Sequence, residues 1–444
     1  MQILSGDRGR LRRARTFAAV FLALVLFVAA CGDDDDADTG SAAEEEPTET
    51  PDEGSDEGSE GNEPTGTPVS IVALLDLTGP SALADIDSVV EATADGINAD
   101  GGLNGQPVEV NVVDTKGDVA TAQAAVNDIG SDVVAVVLSS PSVEAAISDG
   151  LSALGVPIVG VGYQPVVWGG QVTPFRLNCA DSGEDFCAKP NFMTITTTFD
   201  AVVAEQIIGA ELAGATKLSA AACAEVDSCA AAAPVFDAIA AERGLETSPV
   251  VRISSAAADY TSECIGFIQE GVDFIQISSS AAAGVKLIDS CLDQGYEGIF
   301  GASAGSVAGD LLTAPGTLAG GLNAFPWWVD DEPVVEYRSV MEDAGLSEEE
   351  YSGATQTGLY SAMRLLQAAV TDFADPDTEL DGAALLAAMY QLDGEDLDGL
   401  IAPVSFSEDD LDRTRSCFWP YSKAEDGTLE NPLGGLTMQC YPED

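Results

Sequence analysis

Gly301-Ala302-Ser303-Ala304-Gly305 fits G-x-S-x-G, a pattern in which a serine on a tight turn after a strand presents its hydroxyl for acyl transfer. That chemistry needs a base to take the serine proton, normally histidine, and the chain contains no histidine. A Ser-Lys variant would have to use one of five lysines, and Ser303 starts no S-x-x-K pattern. The same absence removes the usual zinc ligand and the usual switch near neutral pH. Paired-carboxylate hydrolysis has acids enough, but no pair is singled out. Hydrolysis at Ser303 is the remote alternative. The main reading is a chain that is not an enzyme and uses no metal and no cofactor.

Cysteine is the other reactive residue type, and Cys31 stands apart from the rest. It follows Arg8, Arg10, Arg12, Arg13 and Arg15, then 14 residues from Phe17 to Ala30 that are apolar. Fourteen residues of helix reach about 21 Å, too short for a bilayer core of about 30 Å. The arrangement is that of a secretory signal with small residues before the cut. Ala29-Ala30-Cys31 resembles the bacterial lipoprotein box, in which the cysteine is lipidated and becomes the mature N-terminus. An uncleaved anchor, or an ordinary signal followed by a chance cysteine, is the alternative. All three place the rest of the chain outside the cytoplasm. Residues 1–30 are thus expected to be the signal and 31–67 a tether. Gly32 to Thr67 holds 15 acidic residues and no basic one, a composition that stays disordered and, by self-repulsion, extended. The spacing and glycine of a calcium-binding loop are absent.

Eight further cysteines suit an exported chain braced by disulfides. Pairing sequence neighbours is the simplest of 105 possibilities: Cys179 with Cys187, Cys223 with Cys229, Cys264 with Cys291, and Cys417 with Cys440. From Pro68 onward 377 residues carry 12 basic and 59 acidic side chains. Nucleic acid and anionic lipid surfaces are excluded as partners, because both are held through Lys/Arg clusters. The length supports two cores, and a monomer is expected.

These residues need elements to position them. Val69–Leu75, Val108–Val113, Val133–Leu138 and Pro157–Val161 read as strands, alternating with helices at Ser81–Asn98, Val119–Ile129 and Val143–Leu154. The rhythm breaks between Tyr163 and Thr198 and then resumes. The second series has strands at Lys217–Ala222, Pro249–Ile253, Phe274–Ile277 and Gly298–Phe300. Its helices are Phe199–Ala213, Ala230–Arg243, Tyr260–Glu270 and Val285–Gln294. Leu322–Trp328 reads as a linking strand, before helices near Pro333–Ala344, Thr355–Phe373 and Ala383–Tyr390. Continuous Val/Ile strands between helices predict parallel sheets covered on both faces, two doubly wound α/β units in series.

Ligands of such sheets sit beyond the carboxyl ends of the strands. That edge would hold Leu77 to Pro80 with Thr78, Ser139 to Ser142, Gly160 to Tyr163, Ser278 to Ser280, and Gly301 to Ser306. Small hydroxyls, glycines and helix N-termini suit a small polar ligand; the same residues also serve as ordinary helix caps.

The chain resembles the type I periplasmic binding proteins of the leucine/isoleucine/valine-binding family. The resemblance rests on Leu77-Thr78-Gly79-Pro80, the turn from Ile97 to Gly105, Val113-Asp114-Thr115, Ser139-Ser140-Pro141-Ser142, Gly155-Val156-Pro157, Phe175-Arg176 and Asp259-Tyr260. It implies two lobes joined by three crossovers, lobe one being 68–185 plus 326–400 and lobe two 187–323 plus 402–444. It also implies delivery of a small-molecule ligand to a membrane ABC permease, with a branched-chain amino acid as the default. A ligand-sensing lipoprotein serving a signalling partner would look the same. The implied ligand contacts are Thr78, Ser139, Ser140, Gly160, Gly162 and Tyr163 in lobe one, with Ser228, Ser279 and Ser303 in lobe two. The family's lobe-two acid for an ammonium group has no counterpart in Gly301–Gly305. Tyr163, Trp168, Trp327 and Trp328 are available to stack on an apolar ligand or to pack the hinge.

Overall fold

The computed structural model describes residues 64–79, 82–162, 189–195, 199–224, 227–302, 307, 309–375, 378–408 and 417–441. The signal, Cys31, the acidic segment, Tyr163, Trp168, Cys179, Cys187 and Ser303 lie outside the described residues, as do the side chains of Ser228 and Cys229. The described residues all fall in the compact unit Ser59–Asp444.

The first sheet is built from runs of Val, Ile and Leu that can only be satisfied by burial on both faces. Its strands are β1 (Val69–Leu75), β2 (Val108–Asp114), β3 (Val133–Ser139), β4 (Ile158–Gly160) and β5 (Phe192–Thr194). All are parallel, in the order β2-β1-β3-β4-β5. Side chains alternate between two apolar clusters. Val72, Leu74, Val136 and Leu138 pack against α2 (Val119–Asp128) and α3 (Glu144–Ser152). Ile71, Ala73, Leu75 and Val137 pack with Ile86 and Val90 of α1 (Ile86–Ala99) and with two helices from much later in the chain.

The second sheet begins after α4 (Phe199–Leu212) with β6 (Lys217–Cys223), followed by α5 (Asp227–Glu242), β7 (Glu246–Thr247), β8 (Val251–Ile253) and α6 (Thr261–Glu270). Next come β9 (Phe274–Ser278), α7 (Ala281–Asp293), β10 (Ile299–Ala302), α8 (Gly309–Thr313) and β11 (Leu318–Leu322). Strands β6, β9, β10 and β11 are parallel neighbours, with β7 and β8 on the other side of β6. The chain then runs through α9 (Glu332–Asp343), α10 (Glu348–Tyr351), α11 (Ala354–Phe373) and α12 (Gly382–Met389), the last two covering the first sheet. After the small antiparallel pair β12 (Asp393–Glu395) and β13 (Val404–Ser405), it returns to the second sheet. There β14 (Cys417–Lys423) lies antiparallel to β11 and carries β15 (Leu429–Glu430) and β16 (Gln439–Cys440).

Two disulfides join neighbouring elements. Cys264–Cys291 links α6 to α7, and Cys417–Cys440 links β14 to β16. Cys223 is also disulfide-bonded; the rest of that pair, and Cys179–Cys187, fall outside the described residues.

The linking strand expected at Leu322–Trp328 is not formed. The strand there is β11, which ends at Leu322, and residues 323–329 turn irregularly. Phe325 and Trp327 are apolar because they are buried in the core of the join, not because they extend a sheet. The glycines within Leu318–Leu322 are needed for close approach. A Cβ on Gly209 of α4 would lie 2.4 Å from the backbone of Gly320, and one on Gly321 would lie 2.5 Å from Glu205 Cβ. The first helix starts at Ile86 rather than Ser81, since Asp85, its N-cap, has a left-handed backbone. Strands β5, β12, β13, β15 and β16 are only two or three residues long, too short to carry a readable pattern.

Candidate functional site

In the first sheet, β1 connects to β2 on one side and is flanked by β3 on the other, which makes the β1/β3 boundary the topological switch point where a crevice opens. In the second sheet the corresponding boundary is β6/β9.

At the β1/β3 boundary a polar cluster closes over the strand ends. Asp76, the first residue after β1, is fully buried. Its amide donates to Ser139 O at 3.1 Å. The Thr115 hydroxyl, after β2, donates to Asp76 Oδ1, and the Gly117 amide donates to the same atom at 3.0 Å. Thr115 Oγ1 and Ser140 Oγ are 2.8 Å apart. Asp76 Oδ2 and Ser139 Oγ are buried with no hydrogen-bond partner among the described residues. Beside this cluster Asp114 fastens two loops. It accepts from the amides of Leu77, Thr78 and Lys116 and, at 2.6 Å, from the Thr78 hydroxyl. Slight desolvation works the other way, but these donors hold its carboxyl below the ordinary value.

The residues expected from sequence are thus placed unevenly. Ser139 and Ser140 are fully buried side by side at the switch point. The Thr78 hydroxyl is spent on Asp114. Gly160 ends β4 with φ +149°, and a Cβ there would lie 2.1 Å from Leu138 O, so the close β3–β4 contact demands glycine. Gly162 follows it, half-buried. In the second sheet Ser279 lies just beyond β9, next to Ser280, whose hydroxyl accepts from the Ala283 amide and caps α7. Ser228 lies in the first turn of α5, near the end of β6.

Asp76 and Thr115 were missed. The available signal was a single acid between Leu75 and Leu77, interrupting an apolar run at its carboxyl end. Trp327 is buried and packs edge-on to half-buried Trp328 with centroids 4.8 Å apart. Arg338 donates to the carbonyls of Trp327 and Val329, so this pair braces the irregular segment after β11.

A second buried acid lies away from either switch point. Glu205 of α4 is fully buried beside Gly321, accepting only from Gln206 Nε2 at 3.0 Å, while its Oε2 finds no partner among the described residues. Burial pushes its pKa well above the carboxyl range, and the Gln206 hydrogen bond opposes this only weakly.

A family model described as "Periplasmic binding protein" matches residues 68–427. Among solved structures, the chain is similar to a fatty acid ABC transporter substrate-binding protein from Thermomonospora curvata, at 16% identity and TM-score 0.62, covering 86% of this chain and 93% of that one. It is similar to a leucine-binding protein from Thermotoga maritima at 14% identity and TM-score 0.59, covering 82% and 97%. A solute-binding protein from R. palustris in complex with benzoate matches at 14% identity and TM-score 0.62, covering 85% and 98%. At such identities the likeness shows the fold: two α/β lobes with parallel sheets. No curated protein sequence is matched.

Proposed function

The chain belongs to the periplasmic binding protein family, and on that premise we propose that it captures a small polar or amino-acid-like solute between its lobes and delivers it to a membrane ABC permease. The supporting observation is the first sheet's switch point, where the Thr115 and Ser140 hydroxyls and the Gly117 N–H gather about the buried Asp76. In this reading lobe one spans 68–185 with 326–400, and lobe two 187–323 with 402–444. The solute favours a closed state by touching both. The similar structures are named for fatty acid, leucine and benzoate, so a branched-chain amino acid is the first compound to try within a broad panel. A lipid on Cys31 would hold the protein at the outer face of the cell membrane, beside its permease.

The test is a thermal-shift screen of oxidised protein against amino acids, amides, aliphatic and aromatic acids, and amines. A solute at 100 times its dissociation constant adds about 2.7 kcal/mol of stability. Silence across every class would refute solute capture. For the anchor, Cys31→Ser is expected to move the protein from the membrane fraction to the soluble one, and unchanged fractionation would refute lipidation.

A further inference from the structure

We propose that the captured solute is an amine, held in lobe one by an ammonium N–H donated to Asp76 Oδ2. The inference deepens the solute-capture reading and rests on it. Asp76 is fully buried, and only one of its oxygens is used: Oδ1 takes both the Thr115 hydroxyl and the Gly117 amide, and Oδ2 takes nothing among the described residues. Burying a carboxylate oxygen without a donor is costly. Natural proteins keep such a group where function needs it. Its position is the β1/β3 switch point, the crevice in which open parallel sheets bind ligands. On the adjoining strand end Ser140 shares Asp76's face of the sheet and is tied to it through Thr115, whereas Ser139, the register partner of Leu75, faces the other side. Gly117 is close to Oδ2: a Cβ there would be in ordinary contact, 3.6 Å from Asp76 Oδ2 and 3.6 Å from Ser142 Oγ.

The surroundings also argue against a carboxylate at this place. Helix N-termini attract anions, but those of α1, α2 and α3 already carry the chain's own acids. Asp118 caps α2 through the Thr121 amide, Glu144 sits fully buried in the first turn of α3, and Asp87 lies in the first turn of α1. Asp114 adds a further acid beside the cluster, with exposed Lys116 as the neighbouring cation. An incoming carboxylate would meet occupied helix ends and an unpartnered carboxyl oxygen, whereas an ammonium satisfies that oxygen.

Three probes of one skeleton separate the possibilities: 3-methylbutylamine, L-leucine and 4-methylpentanoate, with putrescine and benzoate as longer and aromatic controls. Binding is read by thermal shift and calorimetry on wild type and Asp76→Asn. We expect the amines to bind and Asp76→Asn to weaken them at least tenfold. Empty Asp76→Asn should melt at or above the wild-type temperature, because the amide keeps the shape and Oδ1 contacts while removing an uncompensated charge. A purely structural acid would do the reverse. Acids that bind while amines are silent overturn the inference and leave solute capture standing; silence from both classes overturns both. Amine affinity within twofold of wild type in Asp76→Asn also overturns it. Should that variant fail to fold, wild type that binds 4-methylpentanoate as tightly as 3-methylbutylamine does so instead.

Discussion

Asp76 at the edge of the first sheet and Glu205 beneath the second are both fully removed from water, yet their surroundings differ in kind. Asp76 receives two donors from the loop after β2 on one oxygen, and its other oxygen has no partner among the described residues. Glu205 has one donor among the described residues, its own chain neighbour, and lies against Gly321, where one added carbon would come within 2.5 Å of Glu205 and 2.7 Å of Phe418. An acid at a strand end can be surrounded by loop N–H and O–H groups. An acid on a helix packed face-down on a sheet cannot, so it gives up its charge instead. The first arrangement suits recognition and the second suits only packing.

The largest effect that would break this contrast is steric. Gly321→Val puts a Cβ 2.5 Å from Glu205 Cβ and 2.7 Å from the Phe418 ring, and should cost about 3 kcal/mol in urea denaturation. A loss below about 1 kcal/mol would mean the interior is looser than described. Next comes Glu205→Gln, which should raise the melting temperature. The folded value of Glu205 lies above its unfolded value because of burial, so the native state keeps a proton that the unfolded state releases. Stability is unaffected below the unfolded value. It then falls as pH rises toward the folded value, by up to about 1.4 kcal/mol per pH unit. The variant's advantage should therefore be absent near pH 4 and grow toward pH 8; a constant difference would point to packing alone.

Thr115→Val removes a donor from Asp76 and a partner from Ser140, and should cost about 2 kcal/mol, measured by the same denaturation. Smallest is Gly117→Ala, where an added Cβ would make only ordinary contacts but φ is +60°. Backbone strain of about 1 kcal/mol is expected, against the larger loss at Gly321.

The strands of both sheets that run through Val, Ile and Leu were legible because buried parallel strands leave no other composition. Val69–Leu75 is recovered to the residue. β11 was not, since Leu318-Ala-Gly-Gly-Leu322 is selected for close approach to α4 and lacks β-branched side chains. Ser139 and Ser140 were legible as residues following a strand. Asp76 was one acid among 75, and what distinguishes it is brought from residues 115, 117 and 139 by strand order, which no local pattern encodes.

Helix α1 carries one further consequence. Ile86 and Val90 belong to the first sheet's apolar cluster, while Val89 and Ala92, on the same helix, belong to the cluster that includes Ile277 and Phe300 of the second sheet. Neither half can shed α1 without opening the other's interior. Heating should therefore give a single calorimetric peak, with equal calorimetric and van't Hoff enthalpies, rather than the two humps of independently melting domains.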